Sequence, residues 1–323
     1  MKNLRVLYHD NCFDGLASAA VFSSFYKGKV KPGAEIEYEG LAHKAGQLID
    51  EELFGSGENA IVDFKYSASE KLTWWFDHHQ SAFLSEADEQ HFRRDASGRK
   101  FHDPAFRSCT KYIASIAKST FGFEDPSLAE LIHWADIIDG AQFSSAQSAV
   151  ELKEPAMKLM TVIEATRNVD LLHRIIRWEL EKPLAQLLNE PEIRSTFEEL
   201  YENHLKAIEM MRERARLTDG VIVYDISDKS FDAQNKFIPY YLFPEAVYCV
   251  GVSRSSVRAK VSVGSNPWSP RERTENLAKL AEHYGGGGHA VVAAISFKPD
   301  ALGEAQAAAR EIVQKLQASL KRG

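Results

Sequence analysis

Near the start of this chain, short apolar runs stop abruptly at groups of acidic and histidine side chains. Residues 4–8 run into His9-Asp10-Asn11-Cys12-Phe13-Asp14-Gly15, residues 59–62 into Asp63, and residues 73–76 into Asp77-His78-His79. A fourth apolar segment carries Asp136 and Asp139 in His133-Trp134-Ala135-Asp136-Ile137-Ile138-Asp139-Gly140. Runs this short read as buried strands. The Ala-rich stretch 16–25 after the first turn reads as a helix, so the chain begins with a strand–turn–helix unit. Repetition of such units predicts an open α/β sheet, in which polar groups at the carboxyl ends of several strands converge where ligands bind.

Residues 36–38 add a further strand, and residues 109–118 and 128–134 read as helices. From 149 to 217 the periodicity is helical without strand signal, and 197–216 has the mixed charge of a long helix bathed in solvent. Strand character returns at 221–226, 246–252, 257–263 and 291–297. A helix at 276–283 precedes Gly285-Gly286-Gly287-Gly288-His289, and an amphipathic helix at 304–320 follows. The expected architecture is therefore α/β in two domains. An N-terminal domain (1–148) has a mainly parallel sheet flanked by helices, a helical connector (149–217) follows, and a smaller C-terminal α/β domain (218–323) completes the chain. A length of 323 residues suits two domains.

The formal net charge of −7 and the pI of about 5.9 argue against a grip on long duplex DNA, which needs a basic surface. A short nucleotide remains compatible, since a few local Arg and Lys side chains suffice for it. Cys12, Cys109 and Cys249 are far apart and form no CxxC pair. A disulfide framework is not expected, and a reducing cytoplasm is the natural compartment. Residues 1–8 do not read as a signal peptide, and no apolar run is long enough to cross a membrane.

Any single Asp among these groups could equally cap a helix or start a turn. Four such segments in one domain point to a shared role. Carboxylate oxygens and imidazole nitrogens together suit a divalent ion such as Mn²⁺ or Mg²⁺, and bound cations relieve repulsion among buried carboxylates.

These residues bring a family into view. Asp77-His78-His79 resembles the signature of the DHH phosphoesterases. The His-x-x-x-x-Asp-Gly segment from His9 resembles that family's first motif, Asp63 its second and Asp136 its fourth. Gly285 through His289 resembles the GGGH motif of the DHH-associated C-terminal domain, and Arg254-Ser255-Ser256 the Arg-Ser segment before it. The resemblance implies two divalent ions, manganese being the first choice with Mg²⁺, Zn²⁺ or Fe²⁺ as alternatives. It implies that Asp63 bridges them, that His9 ligates the first ion, and that Asp14, His78 and Asp136 ligate the second. It also implies that His79 contacts the substrate phosphate, while Asp77 orients its neighbours. Asp139, three residues after Asp136, could reach the same cluster or cap the turn at Gly140.

One position departs from the family. Many members carry Asp-x-Asp where this chain has Cys12-Phe13-Asp14. Cys12 could be a soft ligand that favours Zn²⁺ or Fe²⁺. Alternatively Asp10 substitutes for the missing carboxylate, or the first site is weak and fills only with substrate. A buried thiol that ligates nothing is the fourth reading.

In the second domain the glycines could form an anion nest, with Gly286, Gly287, Gly288 and His289 on a substrate phosphate, or simply a hinge. Arg254 is the favoured phosphate contact there, Asn266 a weaker one, and Arg107 in the first domain a candidate for the leaving group's phosphate. Ser108 and Thr110 read as helix caps. Trp74-Trp75 read as sheet core, and His43, His91, His133, His173, His204 and His283 as surface or core residues without clear partners.

The resemblance implies a hydrolase of short oligonucleotides or nucleotide phosphates. The types to which it points are nanoRNases, 3′-phosphoadenosine-5′-phosphate phosphatases and cyclic dinucleotide phosphodiesterases. Polyphosphate hydrolysis and a nucleotide-binding protein without catalysis are the alternatives. The helix around 197–216 could serve as a connector or as a homodimer surface.

Overall fold

The computed structural model describes residues 4–42, 49–229 and 235–322; His43 lies outside them. The chain divides into two compact units. One comprises the residues up to Phe143 with Leu152–Leu200, the other Ser144–Glu151 with Tyr201 onward.

The first unit opens with β1 (Leu4–His9) and α1 (Phe13–Phe25), followed by β2 (Ile36–Leu41), β3 (Glu58–Val62) and β4 (Trp74–Asp77). Then come α2 (Glu86–Arg93), β5 (Lys100–His102), α3 (Cys109–Phe121) and α4 (Ala129–Asp139). The strands form one sheet in the order β2-β1-β3-β4-β5, with every pair parallel. Parallel sheets are covered on both faces, and the near-continuous apolar strands show why. Leu4, Val6, Tyr8, Ala60, Val62, Trp74 and Phe76 enter a core with α1, α3 and α4. Leu7, Ile61 and Trp75 enter a second core with Phe54, Phe64, Tyr66 and Leu72. The two tryptophans thus face opposite ways, as alternation along a strand requires. Trp74 meets the rings of Phe22, Phe25 and Tyr26, while Trp75 packs on Tyr66 and stacks on His102. The sequence pattern missed β5, which is three residues long, and α2, which has no buried residue.

After the short α5 (Ala146–Val150), which belongs to the second unit, α6 (Pro155–Ala165), α7 (Val169–Glu179) and α8 (Leu184–Leu187) bury Leu159, Val162, Leu172, Ile176 and Leu187 in the α1 core. The next helix, α9 (Pro191–Arg214), contains the division between the units. The residues expected as a connector are thus shared between the two units. The helix expected to reach Arg216 stops at Arg214, because Arg216–Thr218 pair with the next strand as β6.

The second unit continues with β7 (Val221–Asp225), α10 (Ile238–Leu242), β8 (Tyr248–Arg254) and β9 (Ala259–Ser265). It ends with α11 (Leu277–Glu282), β10 (Gly287–His289), β11 (Val292–Phe297) and α12 (Leu302–Arg322). Its sheet runs β10-β11-β9-β8-β7-β6, antiparallel except for β7 with β8. Ala305, Ala309, Ile312 and Leu316 of α12 cover one face. Among the described residues no helix is long and apolar enough to cross a membrane.

The glycine run lies where this sheet begins at its β10 edge. A Cβ on Gly286 would lie 2.4 Å from the Ala294 carbonyl oxygen, and one on Gly288 2.4 Å from that of Val292. Gly288 also has φ of 149°, which L side chains rarely adopt. A Cβ on Gly287 meets nothing within 4 Å. Gly286→Ala and Gly288→Ala should therefore each cost about 1–3 kcal/mol in chemical denaturation, whereas Gly287→Ala should stay within about 0.5 kcal/mol. Equal losses at all three positions would contradict the close-approach explanation.

Candidate metal centre

Strand ends deliver His9, Asp63 and Asp77 to this centre, and helix ends deliver Asp14 and Asp139. His9 is the last residue of β1, and Cys12 precedes the first turn of α1. Between them Asn11 takes φ of 51°, which turns the chain sharply. Gly15 lets the helix begin at once, since a Cβ there would lie 2.1 Å from the His9 carbonyl oxygen. That contact is the physical reason for Gly after Asp14. Asp63 directly follows β3 in a left-handed conformation, φ 56°, and its amide donates to the Phe76 carbonyl at 2.9 Å. A non-glycine residue held in this region stores strain that its surroundings must offset, and such positions cluster at functional sites. Asp77 closes β4, and its Oδ1 accepts from the His78 amide at 2.8 Å and from His79 Nδ1 at 2.7 Å.

Asp63 is the centre of the arrangement and is 1% exposed. Its Oδ2 lies 3.3 Å from His9 Nδ1. Its Oδ1 lies 3.4 Å from His78 Nε2 and 3.9 Å from His79 Nδ1. His78 Nε2 is also 3.4 Å from Asp139 Oδ2 and 3.8 Å from Asp14 Oδ2. The other nitrogen of His78 lies 3.1 Å from the Phe106 carbonyl. A carbonyl only accepts, so Nδ1 carries the proton of the neutral ring and Nε2 turns its lone pair into the cluster. That is the usual support for a metal-ligating histidine. Asp14 is fixed from behind by α3, whose first amides, Cys109 N and Thr110 N, donate to its carboxylate at 2.7 and 3.1 Å. The positive end of α3 thus steadies a buried negative group.

Asp63 Oδ1 and His78 Nε2 are buried and have no hydrogen-bond partner. Two acceptors facing each other out of water are costly unless a proton or cation lies between them. The ligand atoms of three overlapping groups, His9-Cys12-Asp63, Asp63-His78-His79 and Asp14-His78-Asp139, each lie within 4.8 Å of one another. The donors are oxygens, imidazole nitrogens and one thiol, a set that fits divalent ions.

Without a cation the local charges are strained. Burial, then Asp63 and Asp139, pushes the Asp14 carboxyl well up. Burial and Asp63 raise Asp139 to about 6. Burial lowers His78, but its contact with Asp63 and the charges of Asp14, Asp63 and Asp139 outweigh that and lift it to about 10. Burial acts to raise Asp63 as well, yet its contacts with His78 and His9 bring it down to about 2. His79 is raised chiefly by its hydrogen bond to Asp77. Burial, then Asp63 and Asp14, raises the Cys12 thiol.

His9, Cys12, Asp14, Asp63, Asp77, His78 and His79 are brought together, and Asp136 is not. Its carboxylate pairs with Lys111 Nζ at 2.5 Å and lines a groove with Ile132 and His133. Three residues further along α4, Asp139 rather than Asp136 reaches the cluster. The sequence signal for this was the three-residue spacing, and only the rotation of α4 decides between the two. Asp10 is also elsewhere, accepting from the Asn11 amide at 2.8 Å with its carboxylate against Gly40. Arg107 is exposed, its stem packed on Gly140 next to Asp139. Ser108 caps α3 as expected, and Thr110 Oγ1 donates to the Asp14 carbonyl.

In the second unit Arg254 and His289 are both exposed. Arg254 pairs in register with Ala259, itself opposite Phe297, whereas His289 pairs with Val292. Five residues of β11 separate the two rows, about 17 Å at ~3.3 Å per residue. Asn266 is committed to structure, donating to the Pro244 and Ala246 carbonyls and accepting from the Trp268 amide. His91 and His204 prove to be partnered, by the Tyr66 hydroxyl and the Val150 carbonyl, and His102 bonds the His79 carbonyl.

No protein-family description matches the sequence, and no curated protein does. Solved structures do match in fold. A pGpG-specific phosphodiesterase, PggH of Vibrio cholerae, aligns with TM-score 0.72 at 17% identity, covering 98% of this chain and 100% of that one. The DHH domain of a member of the S1p family of ribosomal proteins aligns with TM-score 0.58 at 14% identity, covering 98% and 87%. RecJ of Thermus thermophilus in complex with Mn²⁺ aligns with TM-score 0.51 at 14% identity, and the match covers all of this chain and 52% of RecJ. The chain has the fold of the DHH phosphoesterases.

Two outcomes test the geometry. Asp139→Asn should weaken Mn²⁺ binding about 10-fold or more in calorimetry, while Asp136→Asn should leave it nearly unchanged; the reverse order would restore Asp136 as ligand. The second concerns pH. Asp139, raised from 3.8 to about 6, contributes stability that is full below pH 3.8 and lost as pH rises through 6. His78, raised from 6.5 to about 10, acts in the same direction between those values, and Asp63, lowered to about 2, loses its contribution only below pH 3.8. The metal-free protein should therefore lose stability from about pH 4 to about pH 10, and the gain in Tm on adding Mn²⁺ should grow over that window. A gain independent of pH would contradict this electrostatic picture.

Proposed function

We propose that this chain is a metal-dependent phosphoesterase that hydrolyses short oligonucleotides or nucleotide phosphates, of the nanoRNase, 3′-phosphoadenosine-5′-phosphate phosphatase or cyclic-dinucleotide type. The observation that carries the reading is the Asp63 carboxylate, whose two oxygens face different histidines, His9 on one side and His78 with His79 on the other. A carboxylate so placed suits a bridge between two ions, Mn²⁺ or another divalent metal. Such ions generate hydroxide from water near neutral pH and offset charge on phosphorus.

The protein's own groups supply the rest. Asp14, His78 and Asp139 form one side of the cluster, and His9 and Cys12 the other. His79, 34% exposed and raised in pKa by Asp77, is the cationic donor for a phosphate oxygen as charge builds in the transition state. Asp77, fully buried, positions His79 and the His78 amide and touches no substrate. Arg107, exposed beside Asp139, is suited to the leaving group's phosphate. In the second unit Arg254 and the segment Gly286-Gly287-Gly288-His289 are separate candidate contacts for a phosphate. The net charge of −7 favours short substrates over long duplexes.

The test is product release from short RNA and DNA oligonucleotides, 3′-phosphoadenosine-5′-phosphate, linear and cyclic dinucleotides and polyphosphate, each with Mn²⁺, Mg²⁺ or Zn²⁺. Metal-dependent turnover of a nucleotide is expected. It should fall more than about 100-fold in Asp63→Asn and about 10–100-fold in Asp77→Asn. Turnover of polyphosphate alone would replace the substrate class. No turnover under any condition, with metal bound, would favour a nucleotide-binding protein.

A further inference from the structure

We infer that the two halves of the cluster select different metals, and that Cys12 makes the His9 side a site for a thiophilic divalent ion, Zn²⁺ or Fe²⁺. This rests on the two-ion reading above and specifies its chemistry. His9, Cys12 and Asp63 present one nitrogen, one sulfur and one oxygen within 4.8 Å of one another. Catalytic zinc is held by three protein ligands drawn from histidine, cysteine and carboxylate side chains, with water as the fourth. Asp14, His78 and Asp139, with the second Asp63 oxygen, present a nitrogen among carboxylate oxygens, which suits Mn²⁺ or Mg²⁺.

Two further observations single out Cys12. It occupies the residue before the first turn of α1, where Ser, Thr, Asp or Asn would normally accept from a helix amide, yet its side chain makes no capping hydrogen bond. Its companion Asp63, 1% exposed, turns Oδ2 toward this side, 3.3 Å from His9 Nδ1. The carboxylate that could have replaced the thiol, Asp10, is engaged with the Asn11 amide and packed on Gly40. On binding, the Cys12 S–H bond breaks as the sulfur–metal bond forms, and the proton passes to water. Thiolate ligands favour Zn²⁺ and Fe²⁺ over Mn²⁺, which carboxylate and water favour.

Co²⁺ titration of the full chain, followed by absorption, tests this directly, because a cobalt–thiolate bond gives a near-ultraviolet charge-transfer band. The band is expected in the wild type and in Cys109→Ser, and should vanish in both Cys12→Ser and Cys12→Asp. In competition, wild-type protein should retain one equivalent of Zn²⁺ or Fe²⁺ against excess Mn²⁺. Metal analysis after anaerobic purification distinguishes the two ions. Cys12→Asp should shift that preference toward Mn²⁺ by at least about 10-fold. Cobalt binding without the band, or a band that survives both Cys12 substitutions, would overturn the assignment and leave the two-ion reading intact. No uptake of any metal, in wild type as in Asp63→Asn, would sink both.

Discussion

Everything at the centre of this protein depends on the unmet valence of one buried carboxylate. Asp63 is strained in backbone, sealed from water and surrounded by histidines, and one of its oxygens has no hydrogen-bond partner. Asp14 and Asp139 face the same histidine nitrogen. Protein groups alone can satisfy this assembly only by shifting protons, which is why Asp139 and His78 are displaced upward together. A divalent ion held by these groups would remove the conflict.

The architecture follows from the need to bring those groups to one edge. Parallel strands all point their carboxyl ends the same way, so β1, β3 and β4 deliver His9, Asp63 and Asp77 together without any long loop. The helices complete the arrangement from their ends. The start of α1 carries Asp14 because Gly15 allows the helix to begin against β1. The start of α3 supplies amides to Asp14, and the end of α4 supplies Asp139.

Most of this was legible in the sequence because strand ends and motif residues are local features. The runs before His9, Asp63 and Asp77 are apolar enough to mark strands, and the polar groups after them have no other reason to cluster. What the sequence left open depended on rotation and on distance. Asp136 and Asp139 differ by less than one helical turn, and only the packing of α4, with Asp136 on Lys111, decides which one faces inward. Asn266 looked available for a ligand until its three backbone partners were in place. The Gly285–Gly288 run suggested an anion nest, whereas close approach to β11 already requires glycine at two of those positions. β5 and α2 were missed because a three-residue edge strand and a wholly exposed helix leave almost no hydrophobic pattern.

The central claim is that Asp63 bridges two ions, and anomalous X-ray scattering from crystals grown with Mn²⁺ and Zn²⁺ tests it most directly. Two peaks are expected, one beside each Asp63 oxygen, with Asp139 rather than Asp136 next to the His78 peak. A single peak, or ions only in the groove beside Asp136 and Lys111, would contradict it.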